Sequence, residues 1–265
     1  MTSSDLRIAS MRRLAAWRAL DGAEAVGEAN AMLRPDRRWF ISVDTWHAES
    51  FFPLVSAVAC DLRHDLYTTV DERDGPELRR WNAAGFTELR REHHYLVPTG
   101  PDLTGLAGAV LPAGMSLVSA DAVDEDGLRL LDEALRAEVP GTDGWINEPQ
   151  EFREQTFNER RFDPATYLVA VDDVGRAFAG LARVWNHPRQ PHLGLVGVMP
   201  GYRRRGLAKV LLAAVLAPLC DRGVREVAAE ADQTSAAPIA LLTSIGARRV
   251  GGGGGQGGGA RDGLA

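Results

Sequence analysis

The chain has 265 residues, too long for one average domain and comfortable for two small ones. Apolar residues make up 45% and charged residues 25%, an ordinary globular balance that excludes a disordered or collagen-like chain. With 30 basic against 36 acidic residues the net charge is -6, which disfavours a general binder of nucleic acid or anionic membrane. Two cysteines, Cys60 and Cys220, exclude a disulfide framework and fit a reducing cytoplasm.

The N-terminal stretch is broken by charges every few residues and lacks the apolar core of a signal peptide. Trp17–Leu33 then reads as a strand-turn-strand pair, Arg37–Val43 as a strand and His47–Leu62 as a helix. A further strand and a helix closing at Gly85 follow, and Phe86–Val97 is a long strand-like end. Prolines and glycines interrupt 98–114, which reads as a linker; the least polar stretch, Leu103–Ala120, is too broken to span a membrane. Beyond it come a strand at Ser116–Ala120 and a helix at Asp124–Glu138, with Leu128, Leu131 and Leu135 at helical spacing. Glu148–Asn158 is a short helix with Pro149 at its start. Tyr167–Val171 and Ala177–Val184 form a second strand-turn-strand pair, and Leu193–Val198 is a buried strand. The helix Gly206–Cys220, the strand Glu226–Asp232 and the helix Ala236–Ile245, stopped by Gly246, complete the pattern. Eight of the nine positions 251–259 are glycine, so 251–265 is expected to be a disordered tail.

The two halves repeat one order of elements. Asp71 to Gly85 and Asp232 to Gly246 are both fourteen residues apart, and each cysteine falls near the same helix end, expected on a buried face. The reading is two copies of one α/β unit: a shortened first lobe at 1–97, a linker at 98–114, a second lobe at 115–250 and the tail.

The chemistry concentrates where the second lobe's buried strand meets its long helix, Val198-Met199-Pro200-Gly201-Tyr202-Arg203-Arg204-Arg205-Gly206-Leu207-Ala208. A helix start carries unpaired N–H groups and the positive dipole end, a ready anion site. Gly206 lets a phosphate approach the backbone, and three arginines add positive charge.

This segment resembles the acyl-CoA signature of the GNAT acyltransferase family, Gln/Arg-x-x-Gly-x-Gly/Ala, through Arg203, Gly206 and Ala208. The resemblance covers about 115–250 well and 15–97 more weakly, as a tandem GNAT chain with a degenerate N-terminal lobe. It implies an α/β fold, a mixed central sheet flanked by helices in each of two tandem lobes. It also implies an N-acetyltransferase that uses acetyl-CoA as co-substrate and a small primary amine as acceptor. The backbone of Val196 and Val198 would hold the pantetheine arm, and the loop Arg203, Arg204, Arg205, Gly206, Leu207, Ala208 and Lys209 the pyrophosphate. The first lobe has Asp44-Thr45-Trp46-His47-Ala48-Glu49-Ser50 in the corresponding place, whose carboxylates would repel that ligand.

Some family members carry a glutamate base eleven residues before the signature; counting back from Arg203 gives His192, an imidazole suited to accepting a proton near neutrality. Glu230 on the next strand is the other candidate base. The tyrosine that often serves as acid is replaced by Leu242, and the asparagine before the last helix by Ser235, which can cap that helix or touch the cofactor. Asp143, Glu148 and Glu151, around Trp145, form an acidic acceptor lip that would attract a cation. No cluster has metal-ligand spacing, so no metal is expected. Two further readings stay open: an acyl-CoA-binding pseudoenzyme that regulates a partner, and a peptide or protein N-acetyltransferase. An uncovered sheet edge in the second lobe would call for cover by the other lobe or by a second chain in a homodimer.

Overall fold

The computed structural model describes residues 6–11, 15–187 and 189–258. Two compact units emerge, one of Met1–Arg91 with Gly252–Ala265, the other of Glu92–Gly251. Each unit therefore takes a strand from the far half of the sequence, which neither the boundary at 97 nor the one at 250 anticipates.

Unit 1 contains β1 (Leu6–Met11), β2 (Ala15–Asp21), β3 (Glu24–Leu33), β4 (Trp39–Thr45), helix α1 (Phe51–Leu62), β5 (Leu66–Asp71) and helix α2 (Gly75–Ala83). Strand β6 (Thr87–Pro98) begins here and continues into unit 2. Strands β1 to β4 pair antiparallel in order, whereas β4 and β5 pair in parallel at Trp39↔Leu66 and Phe40↔Tyr67. One core of Trp17, Val26, Ile41, Phe51, Leu54, Val58, Leu66 and Trp81 lies against α1 and α2. Trp81 makes edge contacts with Phe51 at 5.0 Å and Phe86 at 4.6 Å between ring centroids. Such aromatic contacts add to the burial of apolar area.

Unit 2 contains the end of β6, helix α3 (Pro101–Thr104), β7 (Met115–Ser119), helices α4 (Glu125–Arg136) and α5 (Pro149–Thr156), and strands β8 (Tyr167–Asp172), β9 (Phe178–Trp185) and β10 (His192–Val198). Helix α6 (Leu207–Asp221), β11 (Glu226–Asp232), helix α7 (Ala236–Ser244) and the start of β12 (Arg248–Gly258) complete it. Strands β7 to β10 are antiparallel, β10 and β11 are parallel, and β11 pairs antiparallel with Glu92–Pro98 of β6. The mixed sheet and flanking helices match the expected fold. Helix α6 is apolar almost all round and buries Leu207, Leu211, Leu212, Val215, Leu216 and Leu219 against one sheet face. Helix α4 is amphipathic and covers part of the other face with Leu128, Leu131 and Leu135, its start capped by the Asp124 carboxylate accepting from the Gly127 N–H at 2.7 Å.

Three expectations need correction. The segment 98–114 is packed within unit 2, with Thr104 and Leu106 buried, and does not behave as a free linker. The glycine run is not a disordered tail as far as residue 258: Gly253–Gly258 of β12 pair with Asp71–Leu66 of β5, and Gln256 is buried. Backbone ladder bonds there replace the apolar burial that glycine lacks. The remaining tail residues, 259–265, lie outside the described residues. Finally, Cys60 is exposed and Cys220 half-buried, so neither sits on a buried helix face.

Truncation after Val250 removes the strand that pairs β5. At about 1 kcal/mol net per ladder hydrogen bond, unit 1 is expected to lose several kcal/mol of stability, read as a clear fall in the melting temperature of its transition. An unchanged melting curve would mean that the strand contributes nothing.

Candidate active site

The centre of unit 2 is a place where two strands part. Parallel pairing between β10 and β11 is confined to His192↔Ala228 and Leu193↔Ala229, and the β9–β10 register shifts between Leu193 and Leu195. The shift marks a bulge at Gly194, a position that admits only glycine, because a Cβ there would collide with the Trp185 indole. A bulge bends its strand and ends pairing. From Gly194 to Val198 the β10 edge turned away from β9 carries no strand pairing among the described residues. Val196 and Val198, expected to offer backbone to a pantetheine arm, both lie on this stretch, with their side chains packed against the core under α6.

At the mouth of that opening His192 and Glu230 meet. His192 Nε2 and Glu230 Oε2 are 2.6 Å apart, with side chains 27% and 37% exposed, so a ligand can reach both. Sequence offered them as alternatives; the fold joins them, because His192 aligns with Ala228 and Glu230 lies two residues further along β11. His187 approaches His192 at 6.3 Å between ring centroids. Burial, then Arg161 and His192, lower the His187 pKa below its ordinary value. His94 of β6 stands opposite Glu230 in the antiparallel register.

The arginine loop forms the second part of the site. Pro200–Tyr202 is a short 3-10 turn, Arg204 has φ 63° and Gly206, the N-cap of α6, has φ 81°. This left-handed conformation suits glycine, and the space beside Gly206 is open within 4 Å of a built Cβ. Arg204, Arg205 and Lys209 are exposed around the helix start, while Leu207 is a core residue and Ala208 is half-buried. Tyr202 pins the loop by donating its hydroxyl to Asp172 Oδ2 at 3.0 Å. The backbone N–H groups of Gly175 and Val174, then the Tyr202 hydroxyl, hold the Asp172 carboxyl below its usual range. Arg203 is engaged by the chain itself: its Nε donates to the Val198 carbonyl at 2.8 Å and its Nη2 to Glu138 Oε2.

Ser235 is the α7 N-cap position but makes no side-chain cap bond. Leu242 is buried in the core, which removes the position as a source of an acid, and the Thr243 and Ser244 hydroxyls donate back to the helix carbonyls of Ile239 and Leu241. Trp145 donates Nε1 to Asn147 Oδ1 at 2.7 Å, and the Arg136 guanidinium lies 4.5 Å from its ring centroid. The aromatic of the acidic lip is thus already stacked by a cation of the chain itself. Among the described residues no group of three or more His, Cys, Asp or Glu is placed to hold a metal.

Sequence reading missed a buried ionic cluster behind this lip. Asp132 of α4, 1% exposed, accepts from Arg136 Nε at 2.8 Å and Asn147 Nδ2 at 3.0 Å, with Arg183 Nη2 at 3.6 Å. The Arg183 guanidinium lies between Tyr167 (5.1 Å) and Trp185 (4.1 Å), the side chain that shapes the bulge. Burial drives the Tyr167 pKa up to about 12. Burial also opposes ionisation of Asp132, yet Arg136, Arg183 and Asn147 together hold its carboxyl below the ordinary range. An arginine inside the apolar strand Phe178–Trp185 was the available signal.

Residues 129–246 match the profile of the acetyltransferase (GNAT) family. The matched stretch lies wholly within unit 2. A mycothiol acetyltransferase of Salinispora arenicola is 33% identical over 169 residues, covering 61% of this chain and 51% of the relative. That of Clavibacter sepedonicus is 36% identical over 135 residues, covering 50% and 43%. The chain spans about half the length of these curated relatives. Among solved structures, a GCN5-related N-acetyltransferase from Sphaerobacter thermophilus superposes with a TM-score of 0.71 at 19% identity, covering 94% of this chain and 82% of that one. A tandem GNAT protein from the clavulanic acid biosynthesis pathway gives 0.72 at 18%, covering 94% and 84%. These likenesses show the fold, including its tandem form.

Asp132→Asn is expected to destabilise unit 2 by about 3–5 kcal/mol at neutral pH, because two buried arginines lose their counter-ion. The folded-state carboxyl titrates below its unfolded value, so this contribution is full above about pH 4. It fades as pH falls through the depressed value, and denaturation curves of the two proteins should converge there. A gap independent of pH would show that charge is not its source.

Proposed function

We propose that this chain is a GNAT-family, acetyl-CoA-dependent N-acetyltransferase that acts on the primary amine of a small molecule. The observation that carries the reading is the His192–Glu230 contact at 2.6 Å, at the mouth of the parted strands and in the same unit as the arginine loop. The loop suits a pyrophosphate: an open glycine N-cap, a fifteen-residue helix behind it and the exposed cations Arg204, Arg205 and Lys209. Acetyl-CoA, when bound, supplies the activated acyl group. The relatives named mycothiol acetyltransferases support a small-molecule acceptor.

The roles of the protein groups follow from their chemistry. With His192 Nε2–H directed at the Glu230 carboxylate, the neutral ring keeps its lone pair on Nδ1. That nitrogen takes the proton released as the amine forms its new bond, and Glu230 stabilises the imidazolium. The Val198 N–H polarises the acyl oxygen, a prepositioned dipole where negative charge grows. No acid is supplied from position 242, so the departing thiolate is protonated by water, a tolerable outcome for a weakly basic leaving group. Unit 1 lacks this equipment. Its α1 start carries Glu49, and the Ser50 hydroxyl is committed to the carbonyls of Val26 and His47.

His192→Ala is expected to lower kcat about 10²-fold or more while the affinity for CoA changes less than about twofold, since His192 lies outside the anion loop. Equal losses in both would move the residue from proton transfer to cofactor binding. Gly206→Asp should abolish CoA binding in calorimetry, because it places a carboxylate at the anion site and a side chain at φ 81°. Two CoA bound per wild-type chain would contradict the assignment of the site to unit 2 alone.

A further inference from the structure

The loop arginine that heads the signature is held by a carboxylate from another element, and this has consequences for binding. Arg203 Nε donates to the carbonyl of Val198, the last residue of β10, while Nη2 pairs with Glu138 just beyond α4. The two side chains are 42% and 49% exposed, so an anion arriving at the loop meets both. Glu138 opens the segment 137–148, whose far end is fastened to α4: the Asn147 N–H donates to Glu133 Oε2 at 3.1 Å and its carbonyl accepts from Arg129 Nη1 at 3.2 Å. The α4 end is also seated on β10, since a Cβ on Gly197 would lie 2.8 Å from Leu135 Cδ2. One ion pair thus ties the donor loop to the segment that begins the acceptor lip.

We propose that Glu138 is an internal competitor for Arg203, and that a bound pyrophosphate group displaces it, loosening segment 137–148 as the donor binds. The proposal rests on the reading of the arginine loop as a phosphate site. Its sign follows from electrostatics. A carboxylate beside an anion site repels the ligand and occupies a cation that would otherwise face it. The Val198 carbonyl keeps Arg203 nearby after Glu138 lets go, so removing the acid leaves the cation in place. Exposed pairs are worth little, at most about 1 kcal/mol, which sets the expected effect at about threefold to fivefold. Glu138 is accordingly a positioning residue; it touches no reacting atom.

The test is calorimetry at low ionic strength, where screening is weakest, with CoA and with inorganic pyrophosphate as probes. Glu138→Gln should tighten both about threefold to fivefold. In an Arg203→Gln background the same change should have a clearly smaller effect, because the contested cation is gone and only the direct repulsion by Glu138 remains. Hydrogen exchange of 137–148 should quicken when CoA is added to the wild-type chain and stay unchanged in Arg203→Gln. Unaltered or weaker binding by Glu138→Gln overturns the proposal, as does a full effect that survives loss of Arg203. If CoA fails to bind while pyrophosphate still distinguishes the variants, the competition stands and the acetyl-CoA reading falls. If neither probe binds, both fall.

Discussion

Parallel pairing between β10 and β11 lasts for two residue pairs and then stops, and the site depends on that interruption. A continuous pair would bury the β10 edge in ladder bonds and leave nothing to receive an extended ligand. The interruption begins at Gly194, which has room only for a hydrogen because Trp185 occupies the place of its side chain. Trp185 in turn stacks on Arg183, and Arg183 is held by Asp132. A buried carboxylate on α4 is thus connected, through an ion pair and a cation–π stack, to the backbone opening beside His192. Buried ion pairs seldom add stability over an apolar substitute. The benefit here is geometric: a charged stack fixes the indole face that the bulge requires.

Unit 1 separates scaffold from chemistry. Its parallel pair is equally short, Trp39↔Leu66 and Phe40↔Tyr67, so the strand geometry is repeated. What differs is the helix start. In unit 2 a left-handed glycine leaves the helix start open and cationic residues surround it; in unit 1 the N-cap is Ser50, whose hydroxyl serves two carbonyls. Gly27 is the reason Ser50 fits, because a Cβ there would lie 2.7 Å from its Oγ. The corresponding turn in unit 1 is filled by protein atoms. Charge and space therefore both turn an anion away, and either alone would weaken binding.

The order of elements and the anion loop were legible because each leaves a local signature: periodic apolar positions, a glycine at a helix start and clustered arginines. The His192–Glu230 pair was half legible. Counting along the chain found each residue, but only the parallel register brings them within hydrogen-bond reach. Arg203 was legible only in part. Its position in the signature suggests a phosphate ligand, but its contacts include Val198 and Glu138, a partner 65 residues away that no local rule can supply. The Asp132 cluster left one sequence signal, the arginine in apolar β9, but its grouping was hidden for the same reason, since its members come from α4, β9 and the segment before α5.

The glycine strand is the sharpest case of long-range context overriding local preference. Glycine is among the poorest strand formers, since it gives up the most backbone freedom and has no side chain to pack. Yet Gly253–Gly258 are in register with β5, and the absent side chains are replaced from a neighbouring strand end. Phe86 and Leu89 lie where a Cβ on Gly258 and on Gly257 would project, and Arg90 lies beside Gly255. Larger residues would have to expel them. The strand is therefore specified by its partners: β5 supplies the ladder, the start of β6 supplies the packing, and the run itself need only offer N–H and carbonyl groups at the right spacing. A window of sequence containing only the run holds none of that information, which is why composition pointed to disorder and the fold did not.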